Sequence, residues 1–311
     1  MTPLLDTRAI TINDPTALAG TFLGLEAVVL GLAVLTWVHA ARAHRAGDRT
    51  ARLTWWTIVV YGLVMEVVSY NAVDNFAHGQ FTVMFYDHQL PLYVTAVYPV
   101  LLYTGIATAR RLGLPPLAEA LAAGVLIVAM DVPFDVVGPE AGWWRWFDGH
   151  GEIAARWLGV PVTSYYWHFA FGGILAALTG WAGRRADRRA APPRAWLALP
   201  LAAATIVLGV VAFLPFHGLV ALGVADGAVV AAALLTAVVL AAAARPRRPR
   251  PRDPLLYGPW LVFYGFHLAV ALTAVPGTGR GLRLAFIAAI ATAAVALHVA
   301  GAVRATPQGA A

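Results

Sequence analysis

The sequence predicts an all-α fold, a polytopic transmembrane helical bundle of about nine spans. Three observations carry that expectation. Of the 311 residues, 60% are hydrophobic and only 12% charged, where ordinary soluble domains have about 45–50% and about 25%. Apolar stretches of about 20 residues, the length that crosses a bilayer, recur along the chain. Arginine alternates between the segments that join them. A mean hydropathy of +0.70 leaves too little polar surface to cover a water-soluble globule. Disordered, collagenous and disulfide-rich secreted classes are excluded. With no cysteine, disulfides, thiolate metal sites and thiol nucleophiles are excluded as well.

The apolar stretches lie near 17–41, 53–72, 90–109, 117–138, 162–183, 196–214, 218–244, 256–275 and 282–303. The sixth and seventh are divided at Leu214-Pro215-Phe216-His217-Gly218, inside a 50-residue apolar tract. Proline followed by glycine suits a tight hairpin, and one helix of that length would far exceed the membrane thickness. Eight spans result if one segment is re-entrant or lies at the surface. The first sixteen residues show no basic region leading into an apolar core, so no cleavable signal peptide is expected.

All 22 basic residues are arginine. Nine alternating spans put 17 of them in 42–52, 110–116, 184–195, 245–255 and the C-terminus. Arg8, Arg145, Arg156, Arg280 and Arg283 fall on the other side. Arginine is enriched in cytoplasmic loops, which places the N-terminus outside and the C-terminus in the cytoplasm. Topology and anionic headgroups then account for the net charge of +6, and nucleic acid is not an expected partner. The chain reads as one membrane domain over 1–311, with motif-bearing helices in 17–183. Accessory helices rich in Ala, Val and Leu occupy 195–303, with small residues suited to close packing. The expected setting is the cell membrane of a bacterium or archaeon, and the sequence fixes no oligomeric state.

Ionisable residues within a span are costly and mark either a function or a buried pair. Here they are Glu26, Glu66, Asp131, Asp135, His168, Asp226 and His267. Followed in their predicted directions, Glu26, His168 and Asp226 lie soon after their helices enter from outside. Glu66, Asp131, Asp135 and His267 lie shortly before theirs exit there, so all seven share the outer half of the membrane. The inner halves look apolar, apart from tail-end residues such as His39 and His298.

Asp131 and Asp135 in MDVPFDVVG are four residues apart, which puts both on one helix face. Carboxylates that close titrate as a pair, and a carboxyl that keeps its proton serves as a donor to an apolar substrate. Pro133 between them loosens the helix, as suits a cavity wall. The structural alternative is a pair bridging to Arg145 or Arg156. Glu66 has Tyr70 one turn later on the same face; its alternative is a hydrogen bond to a neighbouring helix. Glu26 and Asp226 stand alone, where the alternative is packing glue.

Two outer loops are distinctive. Residues 73–91 combine Asp74, His78, Tyr86, Asp87 and His88; residues 138–161 carry Trp143, Trp144, Trp146 and Trp157. With Tyr165-Tyr166-Trp167, these tryptophans form either an interfacial belt or the wall of a pocket. Aromatic faces stabilise a passing carbocation by about 0.5–2 kcal/mol per contact. His78, Asp87, His88, His150 and His168 approach the outer face, but on separate segments and without HxxxH or HExxH spacing. No metal site is expected. Neither is a bis-histidine haem on His168 and His267, nor any other cofactor. P-loop, GxGxxG and GxSxG motifs are absent.

The run Asp131, Pro133, Trp143-Trp144-Arg145-Trp146, Gly159-Val160-Pro161 and Trp167 resembles the membrane-embedded carotenoid biosynthesis proteins. Among these is the hydratase that adds water to the ends of acyclic C-fifty carotenoids. That family shows an Asp-Pro, a Trp-x-Trp and a Gly-Val-Pro followed by an aromatic helix. Glu66, the segment Phe76–Tyr86 and Pro91 look like its upstream helix glutamate, aromatic turn and helix-opening proline. The resemblance covers about residues 60–170. Val132 separates Asp131 from Pro133, Ser164 stands where the pattern has asparagine, and the histidines of 78–88 lie outside it.

Together these readings predict an enzyme that acts on a lipid-soluble isoprenoid by protonating an alkene and capturing the cation. Asp131 or Asp135 is the acid. Trp143, Trp144, Tyr166 or Trp167 faces the cation, and Glu66 or His168 holds the attacking water. Trp146, Tyr70, Tyr86, His88, His267, Glu26 and Asp226 complete the expected substrate surroundings. A pocket without water would make the same acid a cyclase. The rivals are a proton-coupled transporter using the buried acids and a non-catalytic scaffold.

Overall fold

Backbone in a bilayer must satisfy its own hydrogen bonds, and helices accordingly dominate this chain. The computed structural model describes residues 3–7, 9–147, 149, 151–189, 193–246, 253–273, 284 and 286–290. Arg8, His150, Arg280, Arg283, His298 and most of the expected span 282–303 lie outside the described residues. Helices α1 (Gly20–Arg45) and α2 (Ala51–Val68) form the first pair, and α2 continues into a π-helical turn, Ser69–Val73. Next, α3 (Leu92–Tyr98) and α4 (Thr104–Arg111) join through a second π turn, Pro99–Tyr103. The remaining helices are α5 (Pro116–Val137), α6 (Val162–Arg188), α7 (Ala198–Ala221), α8 (Asp226–Ala243) and α9 (Pro254–Thr273).

Seven helical segments among the described residues are long and apolar enough to cross a membrane. They are Gly20–Arg45, Ala51–Val73, Leu92–Arg111, Pro116–Val137, Ala195–Ala221, Asp226–Ala243 and Pro254–Thr273. At 27 residues, α6 is as long as any of them, but its polar content (Thr163, Ser164, His168, Arg184, Arg185) makes it less apolar. The α3–α4 segment and α5 form the centre, each 83% buried across its apolar window. In contrast α7 and α8 expose Leu199, Val207, Leu214 and Leu235, an apolar surface suited to lipid.

One boundary differs from the sequence reading. No hairpin falls at 214–218: α7 runs through Pro215 to Ala221, and the turn comes at 222–225. There Gly223 takes φ +87° and its N–H donates to the Val220 carbonyl at 2.9 Å. Glycine closes the helix because it alone adopts positive φ without strain. A mid-helix proline forfeits one hydrogen bond, which membrane helices tolerate.

The segments 73–91 and 138–161, read as loops, also contain strands, as does the stretch before α1. These are β1 (Pro3–Asp6), β2 (Ile10–Asn13), β3 (Phe76–His78), β4 (Val83–Phe85), β5 (Leu90–Pro91), β6 (Trp144–Trp146), β7 (Arg156–Trp157) and β8 (Val160–Pro161). They make three antiparallel sheets: β1-β2-β4-β5, β3-β6 and β7-β8. Asp14 follows β2 and caps the turn Pro15–Ala17 that leads to α1. The Thr16 hydroxyl and backbone N–H both donate to its carboxylate and hold its pKa below the usual value.

The opposite, arginine-rich end is less apolar than the sequence suggests. Arg110 donates to the Thr54 hydroxyl at 3.0 Å and the Thr179 hydroxyl at 2.8 Å, and pairs with Glu119 at 3.8 Å. His39 joins Tyr103 at 2.8 Å and Asp253 at 3.3 Å. Both clusters tie helices together at that end.

Candidate functional site

Two polar clusters form where the helices meet the strands. The first spans α5 and α6. Asp131 and Asp135 are buried and point the same way, as their four-residue spacing requires. One carboxyl oxygen of each lies within 4.8 Å of one from the other, and two buried carboxyls that close favour a state in which one keeps its proton. The Ser164 hydroxyl donates to Asp135 Oδ2 at 2.6 Å. One turn on, His168 Nδ1 lies 3.0 Å from the Ser164 carbonyl and 3.3 Å from Asp131 Oδ2. A carbonyl only accepts, so Nδ1 carries the hydrogen. The pair is thus tied to Ser164 and His168, in place of the Arg145 or Arg156 bridge considered from sequence. One ligand atom from each of Asp131, Asp135 and His168 lies within 4.8 Å of the others, so these three also form a donor set of the kind that holds a divalent ion.

The second cluster centres on Glu66, in the last turn of α2. The Tyr98 hydroxyl donates to its Oε1 at 2.7 Å. Tyr98 reaches it by crossing α2 at Gly62, where a Cβ would stand 2.5 Å from the ring. His78 on β3 brings Nε2 to 3.7 Å from Glu66 Oε2, while its Nδ1 lies 3.2 Å from the Tyr93 hydroxyl. Glu66 Oε2 and His78 Nε2 are both buried and have no hydrogen-bond partner.

Both clusters line one cavity of about 280 Å³, near the lower end of small-molecule pockets. The β3–β6 ribbon forms part of its wall. Phe76 pairs with Trp146 and His78 with Trp144, and side chains alternate along a strand. These four therefore share the face that lines the cavity, while Ala77 and Arg145 take the other. Phe134 packs on Trp144 at 4.3 Å and Trp167 stacks on Phe171 at 4.2 Å; all four also line the cavity. On the α7 side are Phe213, His217 and Val210, and Val210 is 56% exposed on its outer side. No arginine is among the lining residues. Three acids and three histidines share an aromatic hollow with no fixed positive charge.

Of the residues singled out from sequence, Asp131, Asp135, Glu66, His168, Trp144, Trp146, Trp167 and His78, the last named only for its loop and as a metal candidate, line this cavity. The others do not. Trp143 is fully buried against Phe266, and His267 donates from Nδ1 to the Phe263 carbonyl while packing edge-on to Trp143. Tyr166 donates to the Ala212 carbonyl. Tyr70 and Tyr86 stack on each other, and Asn71 donates to the Tyr86 hydroxyl. His88 pairs with Asp6 at 3.1 Å. Glu26 accepts from the Thr82 backbone N–H and hydroxyl, anchoring α1 to the strands. Asp226 begins α8. The cavity adds Tyr98, Ser164, Phe134, Phe171, Phe213 and His217, which the sequence reading gave no role beyond noting Ser164. Of these, Ser164 carried a usable signal, being one helical turn before His168.

A family model described as a domain of unknown function (DUF7802) matches residues 6–180. No curated protein matches the chain, and no solved structure does.

Proposed function

The chain belongs to the DUF7802 family, whose matched segment holds most of the residues around this cavity, and from that site we propose a membrane enzyme that hydrates an alkene of a lipid-soluble isoprenoid or carotenoid. The carrying observation is the buried pair Asp131–Asp135, with carboxyl oxygens within 4.8 Å of each other, beside an aromatic hollow. The proton shared by the pair adds to the less substituted alkene carbon, and the π electrons form the new C–H bond. The tertiary cation left on the adjacent carbon sits against the faces of Trp144, Trp146 and Trp167. Water attacks it, its surplus proton passes to Glu66 or His168, and an alcohol results. His168, held beside the acids by the Ser164 carbonyl, positions the pair. If the cation instead meets a second alkene, the same acid yields a ring.

The cavity takes the end of a long chain rather than its whole length. Exposure of Val210 supports entry from the bilayer between α6 and α7. The proposed topology has α6 as a further span beside the seven apolar ones and 282–303 as the last. It places the N-terminus and the strands outside and the arginine-rich end in the cytoplasm. Transport is the weaker reading, since the Arg110 and His39 clusters close that end with paired groups.

A second reading follows from the 4.8 Å grouping of Asp131, Asp135 and His168: these three would hold a divalent ion in place of the shared proton, and the ion would supply an activated water. The two readings part on chelation. Shared-proton chemistry survives removal of divalent ions, whereas metal chemistry does not. The test of the main reading incubates the chain in lipid vesicles with an acyclic C30 or C40 isoprenoid bearing isopropylidene ends. Asp131→Asn and Asp135→Asn are expected to lower alcohol formation by at least 100-fold, at unchanged yield of folded protein. Alcohol formation at the unsubstituted rate in both variants would remove the proposed acid.

A further inference from the structure

We propose that Glu66 and His78 form the water-binding pair of this cavity, holding the attacking water and taking its surplus proton. The inference rests on the hydratase reading above and chooses between the two bases it names. Glu66 Oε2 and His78 Nε2 are buried, face each other at 3.7 Å and have no hydrogen-bond partner. That separation is too long for a direct hydrogen bond, and it suits two groups that share one water at about 2.8 Å from each. Asn75 Oδ1, Asp131 Oδ2 and Trp146 Nε1 on the same wall also lack a partner, but Glu66 Oε2 and His78 Nε2 are two such atoms that face each other. Buried polar atoms left unpaired call for a bound molecule. Both residues line the cavity, so the water faces the substrate.

The supports of the pair fix its geometry. Tyr98 donates to Glu66 Oε1, while Oε2 has no hydrogen-bond partner and the buried Tyr70 hydroxyl lies on the same carboxylate. Tyr93, at 3.2 Å from Nδ1, holds the His78 ring so that Nε2 faces the carboxylate. Pairing of His78 with Trp144 sets the ring beside one aromatic wall. By contrast His168 Nδ1 donates to the Ser164 carbonyl and lies 3.3 Å from Asp131 Oδ2, on the side that delivers the proton. Acid and water therefore come from different helices. In the reaction, the water oxygen forms a C–O bond with the tertiary cation. One water proton moves to Glu66 or His78 and returns to the acid pair through bulk water after the alcohol leaves.

The experiment uses the full chain in lipid vesicles in D2O, with an acyclic isoprenoid as probe, and follows two products by mass spectrometry. Unsubstituted protein gives alcohol carrying one carbon-bound deuterium. Glu66→Gln and His78→Phe are expected to reduce alcohol at least tenfold. Deuterium should still enter the recovered alkene at its vinylic carbon, because a cation without water loses a proton back to the acid. His78→Gln serves where His78→Phe lowers the folded yield. Unchanged alcohol in the His78 variants overturns the pair and leaves the hydratase reading standing. Loss of exchange together with alcohol also overturns it, since the pair would then act in protonation.

A readout independent of turnover is radiolytic labelling in 18O-water, which oxidises buried side chains that touch bound water. Trp144, which lines the cavity with its ring 6.3 Å from that of His78 and is 4% exposed, is expected to take up 18O, and His78→Phe should lower that uptake at least threefold. Absent uptake in the unsubstituted protein overturns the water site whatever the substrate turns out to be. A divalent metal that copurifies and is lost in Glu66→Gln overturns it too. Uptake at Trp144 with neither alcohol nor exchange keeps the water site and removes the hydratase reading.

Discussion

Asp87 has φ +54°, between Tyr86 at +53° and His88 at +65°, in the turn between β4 and β5. The left-handed region costs an L-residue about 1–2 kcal/mol, and three such residues in a row concentrate that cost in one turn. Tyr86 is compensated by its stack on Tyr70, and His88 by its contact with Asp6. Asp87 is exposed and has no such contact in the hairpin, so Asp87→Gly should stabilise the fold by about 1 kcal/mol. Differential scanning fluorimetry would show this as a rise of about 2 °C in melting temperature; a fall would mean that the side chain has a role in the turn. Residues differ in how far sequence exposes them. The spacing of Asp131 and Asp135 is helical and local, so their shared face was readable. The place of His78 depends on strand pairing with Trp144, 66 positions away, and no local period encodes it. Glu26 had the right depth for the cluster, but Thr82 claims both carboxylate oxygens.

At the level of elements, hydropathy found the helices because a bilayer imposes length and apolarity on each one. It did not find their irregularities. The π turn at Ser69–Val73 widens α2 just after Glu66, and Ser69 and Val73 join the cavity wall; such turns favour functional sites. Pro99 opens the second π turn, since its missing N–H breaks the regular ladder. The aromatic strands were hidden for a different reason. A three-residue strand carries only one and a half periods of alternation, too few to separate Trp-Arg-Trp from an interfacial belt. Helix packing at the far end depends on Arg110, which joins α4 to α2 and α6 through Thr54 and Thr179. Arg110→Leu removes those bonds and leaves Glu119 without its cation. The expected loss is about 2 kcal/mol, moderated because Glu119 is partly exposed. Thermal unfolding in a fixed detergent would measure it. An unchanged midpoint would make the cluster incidental to the packing of these helices.

Across the whole molecule, the position of the cavity relative to the two membrane faces decides what reaches it. The strands and the cavity lie at one end, the Arg110 and His39 clusters at the other. The proposed topology, from arginine bias, has the strand end outside, and charge bias is a statistical rule. α6 links the β7–β8 hairpin to an arginine-rich segment, so the sides from which its two ends are reached decide which end is which. The natural chain has no cysteine, so single cysteines report position without background. Ala46 between α1 and α2, Ala154 before β7 and Arg189 after α6 are all exposed. In intact cells, a membrane-impermeant maleimide should label Ala154→Cys, and Ala46→Cys and Arg189→Cys only after permeabilisation. Labelling of Ala154→Cys and Arg189→Cys from the same side would place α6 along the surface and separate His168 and Ser164 from the bilayer interior. Labelling in the inverse pattern would turn the cavity toward the cytoplasm. An acid pair there would draw its protons and water from the cell interior, and the lipid end it receives would have to come from the inner leaflet.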